Sequence, residues 1–282
     1  MISTNQRNEN VKKILYKLTG ISLVDNKDIM ISNRLQKLRR NLNYHGDIDD
    51  LLASIESDQE LITQFINTFT TNKTNFFREE FHFNDLLARV LPEFASYNAP
   101  RVNIFCCASS TGEEPYSIAM TIKEAEVKYT NKIKASIIAS DIDTNVLKKA
   151  SEGIYGFSKS GKEFPDWINP GKYFKKRVKN SEYHEEILIK AKDELKELIT
   201  FQELNLTDER YPFEDDYFDV VFCRNVLIYF NENDQNKILV KLFKKLKMGG
   251  TLYIGHSESP RILTKHVERI GQNIFLKIKE YI

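Results

Sequence analysis

Features that would place this chain in a membrane, in an oxidising compartment or on a nucleic acid are largely missing from its 282 residues. No run approaches the roughly 20 apolar residues of a spanning helix. The first ten residues, MISTNQRNEN, are polar where a secretory signal needs an apolar core, so a cytoplasmic address without membrane insertion is expected. Neither sign of charge dominates: 41 Lys and Arg against 40 Asp and Glu leave +1. The total therefore gives no reason to expect nucleic acid as a partner, and only local charge can guide that choice. Cysteine is sparse and odd in number, and Cys106, Cys107 and Cys223 lack metal-ligand spacing. They read as buried reduced thiols, and no metal is expected. Repeats and low-complexity tracts are absent as well. What remains, with 41% hydrophobic residues, is a soluble globular chain with core material for one large domain or two modest ones.

The most informative stretch is residues 101–143. Residues 101–108 are a short apolar run that stops at Ser109-Ser110-Thr111-Gly112, and Pro115 opens an amphipathic segment. A second apolar run, 135–139, ends in Ser140-Asp141, and 144–150 again has helical spacing. This βαβα order implies parallel strands with a ligand at their carboxyl ends. There a glycine turn permits close backbone approach and an acidic residue can bind a ribose diol; Gly112 and Asp141 fall at those places. A dinucleotide would need a glycine-rich phosphate turn, whereas this turn has one glycine followed by Glu113 and Glu114. Carboxylates suit a ligand with a sulfonium, an ammonium and a ribose, which is S-adenosylmethionine rather than NAD. The same glutamates also complement a helix dipole for about 0.3–1 kcal/mol each, so on these residues alone both readings stay open.

The strings FFRE, STGEEPYSIAM, ASDID, FCRNVLIYF and GHSES occur in this order and together resemble the CheR family of chemotaxis-receptor glutamate methyltransferases, from about Val11 to the C-terminus. The resemblance implies an α/β class I methyltransferase fold: a Rossmann-like, seven-stranded, mostly parallel sheet. It also implies an all-helical N-terminal domain at 1–75, a catalytic domain at 76–282, and a small β-subdomain within about 171–192. Methyl groups would pass from S-adenosyl-L-methionine to glutamate carboxylates of chemoreceptors, leaving methyl esters and S-adenosyl-L-homocysteine. By position in the motifs, Asn72, Thr74, Arg78, Gly112, Glu114, Asp141, Asn205, Leu206, Cys223 and Arg224 would bind the cofactor. Tyr229, Arg78 and Arg224 would position the reacting carboxylates. For several of these a plainer reading stands beside the functional one: Asn205 as a turn cap, Cys223 and Phe76-Phe77 as packing, His256 of GHSES as structural.

Helical periodicity fills residues 1 to about 70, with stripes at Val11, Ile14, Leu15 and Leu18, then over 28–44, then over 61–69. No acidic residue interrupts 29–46, so Arg34, Lys37 and their neighbours form a basic helix at about 29–44. In the family such a helix faces the acidic methylation helices of the receptor; the plainer alternative is a solvated face. A helix over 81–91 closed by Pro92 is expected next. Residues 153–167 look irregular, and strands are expected at 199–204, 218–222 and 251–255. A helix at 231–247 ends before Gly249-Gly250, and a hairpin closes the chain over 267–278. Some family members bind a receptor tether peptide at the β-subdomain through a glycine-bearing turn; RVKNSEYHEE here is longer and glycine-free, which weighs against tether docking.

A glutamate acceptor with a pKa of about 4.3 is ionised at neutral pH, so its methylation needs no general base. Two alternatives remain at this stage. One is a methyltransferase of the same fold acting on another protein or a small carboxylic acid. The other is a non-catalytic S-adenosylmethionine-binding receptor adaptor, in which Arg78, Tyr229 or the GEEP turn would be eroded; all are intact.

Overall fold

The computed structural model describes residues 3–23, 27–96, 98–157, 163–180 and 185–281. Small polar residues start the first helices. Ser3 accepts from the Gln6 N–H to cap α1 (Thr4–Thr19), and Gly20, at φ +72°, ends it. α2 (Asp28–Asn41) follows, then α3 (Ile48–Ser54) capped by Asp47, and α4 (Gln59–Phe69) capped by Asp58. Val11, Leu15, Ile31, Leu35, Leu52, Phe65 and Phe69 meet in one core, and Ile21 packs against both it and the core beside the sheet. α3 has no counterpart in the sequence periodicity, because seven residues are too few to display a helical stripe.

The helix expected over 81–91 is instead α5 (Phe81–Asp85), a π-helical turn at Leu86–Val90 and α6 (Leu91–Phe94). Pro92 opens α6, where its missing N–H is harmless, rather than closing a helix. The chain continues with β1 (Val102–Cys107), α7 (Glu113–Tyr129), β2 (Ala135–Asp141), α8 (Thr144–Glu152) and β3 (Ile154–Gly156). α9 (Pro170–Tyr173), β4 (Phe174–Asn180), β5 (Glu185–Ala191), α10 (Asp193–Lys196) and β6 (Ile199–Glu203) come next. β7 (Phe218–Cys223), α11 (Glu232–Lys245), β8 (Leu246–Ile254), β9 (Val267–Gly271) and β10 (Ile274–Lys277) complete it.

Among the described residues, seven strands form one sheet in the order β6-β2-β1-β7-β8-β10-β9. All neighbours are parallel except β10, which runs antiparallel to β8 and β9. Chain order reverses direction at β1, between β2 and β7, the place where open α/β sheets bind ligands. β1 and β7 are buried along nearly their whole length, which is why they read as continuous apolar runs. β8 starts earlier than expected and carries Gly249 and Gly250 inside it, so the helix before it stops at Lys245.

The hairpin expected within 171–192 is β4 with β5, and β3 joins it from a segment that reads as irregular. The turn residues 181–184 of RVKNSEYHEE, and 158–162 of the preceding segment, lie outside the described residues. Among the described residues no helix is long and apolar enough to cross a membrane. The helical part is fastened to the sheet at the end of α1 and just beyond it: Ile21 bridges Phe230, the Ser22 N–H donates to the Tyr229 carbonyl at 2.8 Å, and the Tyr16 hydroxyl donates to Asp234 at 2.7 Å.

Candidate functional site

A cavity of about 440 Å³ opens at the carboxyl ends of β1, β2, β6 and β7. Asn72, Thr74, Arg78, Glu114, Asp141, Asn205, Leu206, Arg224 and Tyr229 all line it, although they are scattered over more than half of the chain. Thr19, Ile21, Ser22, Leu23 and Met30 add a wall from the helical domain. Thr19 ends α1, Ile21, Ser22 and Leu23 follow it and Met30 belongs to α2, and nothing in the local sequence marks any of the five as a cavity residue.

Backbone strain gathers here. Phe77, Glu79, Ala108, Ser110 and Asn225 all have left-handed φ values between 49° and 57°. Non-glycine residues adopt that region at some cost, and they hold it only where the surroundings over-determine it.

Arg224 supplies much of that constraint. Its side chain is fully buried, with Nη1 2.5 Å from Glu114 and Nη2 3.3 Å from Glu79. Nη2 also donates to the Arg78 carbonyl, and the guanidinium lies 5.5 Å from the Phe83 ring centre. Expected both to position a carboxylate and to bind the cofactor, Arg224 engages two glutamates through its Nη atoms and so joins three segments, while it also lines the cavity and its Nε has no partner among the described residues. Burial pushes the Glu79 carboxyl up, but Arg224 and the hydrogen bonds from Asn225 and the His256 N–H outweigh it and hold the pKa below the ordinary value. His82 is buried beside this group, and burial followed by Arg224 lowers it to about 4. It is therefore neutral at pH 7.

The Asp141 carboxylate accepts from the Ser110 N–H at 2.8 Å and the Asp143 N–H at 3.0 Å. Burial nonetheless pushes its pKa up to about 6. The neighbouring Asp143 accepts from Thr70 Oγ1 at 2.6 Å and Asn72 Nδ2 at 2.8 Å, clamping the segment that carries Asn72 and Thr74 onto the start of α8. Of the two turn glutamates only Glu114 reaches the cavity; Glu113 accepts from the Thr111 hydroxyl at 2.6 Å, and burial raises its pKa.

Three expectations need correction in detail, and a fourth residue, Asn205, keeps its place on the cavity beside a capping role. Gly112 stands behind the cavity wall: at φ +98° an added Cβ would lie 2.8 Å from both Ala150 Cβ and the Tyr155 hydroxyl, so the glycine serves the packing of α8 against the turn. Cys223 is fully buried against the core rather than on the cavity. The Asn205 amide donates to the Leu18 carbonyl at 2.9 Å and accepts from the Thr207 N–H at 3.0 Å, a capping role that also ties the two domains. On the basic helix α2, Arg34 turns inward to the Phe69 carbonyl and Thr71, and Arg39 donates to the Tyr44 and His45 carbonyls. Lys37 and Arg40 remain exposed.

The GHSES segment acts through Glu258. Its carboxylate accepts from the N–H groups of Asn225 and Gly255 at 2.8 Å and of Leu227 at 2.7 Å, fixing the turn that carries Tyr229. Gly255 must be a glycine for this, since a Cβ would sit 2.5 Å from Glu258 Oε2. Sequence reading stopped at His256, whose side chain is exposed and meets Ser257. Glu258→Ala should lower stability by about 1–3 kcal/mol or more, because it leaves buried N–H groups without an acceptor. Urea unfolding should show the midpoint fall with an unchanged slope; an unchanged midpoint would show that the staple is dispensable.

Two family profiles match this chain. One described as "CheR methyltransferase, SAM binding domain" covers residues 72–275, and one described as "CheR methyltransferase, all-alpha domain" covers 9–70. Among curated relatives, the chemotaxis protein methyltransferase of Klebsiella aerogenes is 37% identical over 272 residues, 96% of this chain and 89% of its own length. That of Escherichia coli is 36% identical over 272 residues, covering 96% and 90%. That of Borreliella burgdorferi is 36% identical over 256 residues, covering 88% and 86%. With near full-length identity above one third and an S-adenosylmethionine-binding sheet joined to an all-α domain, the chain belongs to the CheR methyltransferase family.

Proposed function

We propose that the protein esterifies glutamate side chains on the cytoplasmic helices of chemotaxis receptors, taking the methyl group from S-adenosyl-L-methionine. The observation that carries this reading is the sorting of charge along the cavity. Asp141, 7% exposed, and the half-buried Glu114 lie at its depth, while Lys27 and Lys73 are exposed and Arg78 is half-buried at its rim. Glu114 is already paired with the buried Arg224, which lines the same cavity, so Asp141, in no ion pair among the described residues, is the acid whose charge is left to a cationic cofactor; the exposed bases suit an anionic acceptor and would steer an acidic helix towards it.

The depth of the cavity fits the cofactor. Asp141 is placed to accept from ribose hydroxyls, and the Ser110 hydroxyl, which lines the cavity, is buried without a partner among the described residues. Such a group is expected to meet a ligand or water. Bound there, S-adenosylmethionine would supply an electrophilic methyl on sulfur. The protein's own residues then have to exclude water and align an already ionised carboxylate, which can contribute up to about 7–11 kcal/mol. No proton need be removed from an acceptor that is already ionised.

Tyr229 is proposed to donate its hydroxyl to the acceptor carboxylate. Arg78, which among the described residues donates only to the Lys73 carbonyl at 3.2 Å, retains donors for a bidentate carboxylate contact. Asn72, Thr74 and Leu206 are proposed to complete the cofactor wall, and Lys37 and Arg40 of α2 to meet the receptor's acidic face. Incubation with labelled donor and a receptor cytoplasmic fragment should place base-labile label on glutamates; label confined to other residues would overturn the acceptor assignment.

Two outcomes test the roles. Tyr229→Phe should leave S-adenosylhomocysteine affinity nearly unchanged and lower turnover by about tenfold or more; unchanged turnover would remove Tyr229 from the acceptor site. The cofactor should bind the ionised form of Asp141, whose pKa in the free protein is raised to about 6. Protonation competes below that value, so the calorimetric dissociation constant should be flat above about pH 7 and rise by up to about tenfold per unit as pH falls through 6. A constant value down to pH 5 would show that Asp141 is not the acceptor of those hydroxyls.

A further inference from the structure

Beside Tyr229 the cavity rim carries an isoleucine that nothing in the fold explains. Ile228 is 52% exposed and lines the cavity, whereas its neighbours Leu227 and Phe230 are buried in the core. Scattered exposed isoleucines are ordinary, but this one stands on a turn held from two sides. Glu258 accepts from the Asn225 and Leu227 N–H groups. On the other side, Ser22 donates to the Tyr229 carbonyl and Ile21 bridges Phe230. A stiff, β-branched side chain is therefore presented to solvent in a fixed position next to the group assigned to the acceptor carboxylate.

Resting on the proposed function, we infer that Ile228 is a specificity-determining contact for the acceptor helix. It would seat against an apolar side chain one turn from the glutamate that Tyr229 receives. Side chains three or four positions apart share a helix face and lie about 5–6 Å apart, so a helix that offers its glutamate to Tyr229 presents a neighbour on that face to the adjoining rim residue. Rim cations would attract any acidic helix. An apolar contact discriminates among its glutamates, because a charged neighbour would have to desolvate against Ile228 without a partner.

The experiment compares the full-length protein with Ile228→Val and Ile228→Asp, using a receptor cytoplasmic fragment and labelled donor, with S-adenosylhomocysteine affinity measured in parallel. Ile228→Asp should lower kcat/KM for the receptor by about tenfold or more, chiefly through KM, while cofactor affinity stays within about twofold and Ile228→Val stays near the parent. Receptor variants with Asp three or four positions from a labelled glutamate should lose labelling with the parent enzyme. Against Ile228→Asp a receptor Asp at that position should lower labelling further, because like charges then face each other, whereas Lys there should restore it, since the two sites are coupled. If the parent enzyme labels no glutamate, the underlying functional reading fails. If it does and Ile228→Asp labels the receptor equally well, or loses cofactor affinity in proportion, the inference about Ile228 is overturned.

Discussion

A guanidinium with no access to water holds this site together. Arg224 reaches from the end of β7 to Glu114 at the start of α7 and to Glu79 and the Arg78 carbonyl in the loop before α5. A buried charge is tolerable only when paired and hydrogen-bonded, so these segments cannot separate without stranding a cation or two carboxylates. The left-handed backbone at Phe77, Glu79 and Asn225 is a consequence: those residues flank the ion triad, and the triad over-determines their geometry. Arg78 and Tyr229 gain fixed positions from it without their own side chains being used up.

The second constraint crosses the domain boundary. Residues 19–23 wall the cavity and clamp the Tyr229 turn, while Asn205 reaches back to Leu18 and Asp143 grips Thr70 and Asn72. The helical domain thus supplies part of the cavity wall. Arg34 sits on the basic helix, yet burial lowers its pKa and its donors go to the segment that leads into the catalytic domain.

Legibility followed sequence distance. β1, β2 and β7 were readable because a doubly covered parallel strand is a continuous apolar run, and α1, α2 and α4 because their apolar stripes are long enough to show a period. α3 and β3 are too short to show one, and the π-helical turn at Leu86–Val90 leaves no periodic mark. In the site, Asp141, Glu114 and Tyr229 were visible since strand-end position and motif text name them. Asp143, Glu258 and Glu79 were not. Asp143 works through partners 71 and 73 residues away, and a carboxylate that accepts from distant backbone carries no local signature. Gly112 and Cys223 sit where the motifs point to the ligand, but neither lines the cavity: the space beside Gly112 is filled by Ala150 and Tyr155, and Cys223 packs in the core.

The central claim is that Arg224 organises the cavity rather than handling substrate, and Arg224→Met tests it most directly through equilibrium unfolding read beside methyl transfer. Leaving Glu79 and Glu114 uncompensated should cost about 3–5 kcal/mol of stability, with activity falling as the walls loosen. Full stability together with abolished methyl transfer would contradict the account and return Arg224 to the reacting groups.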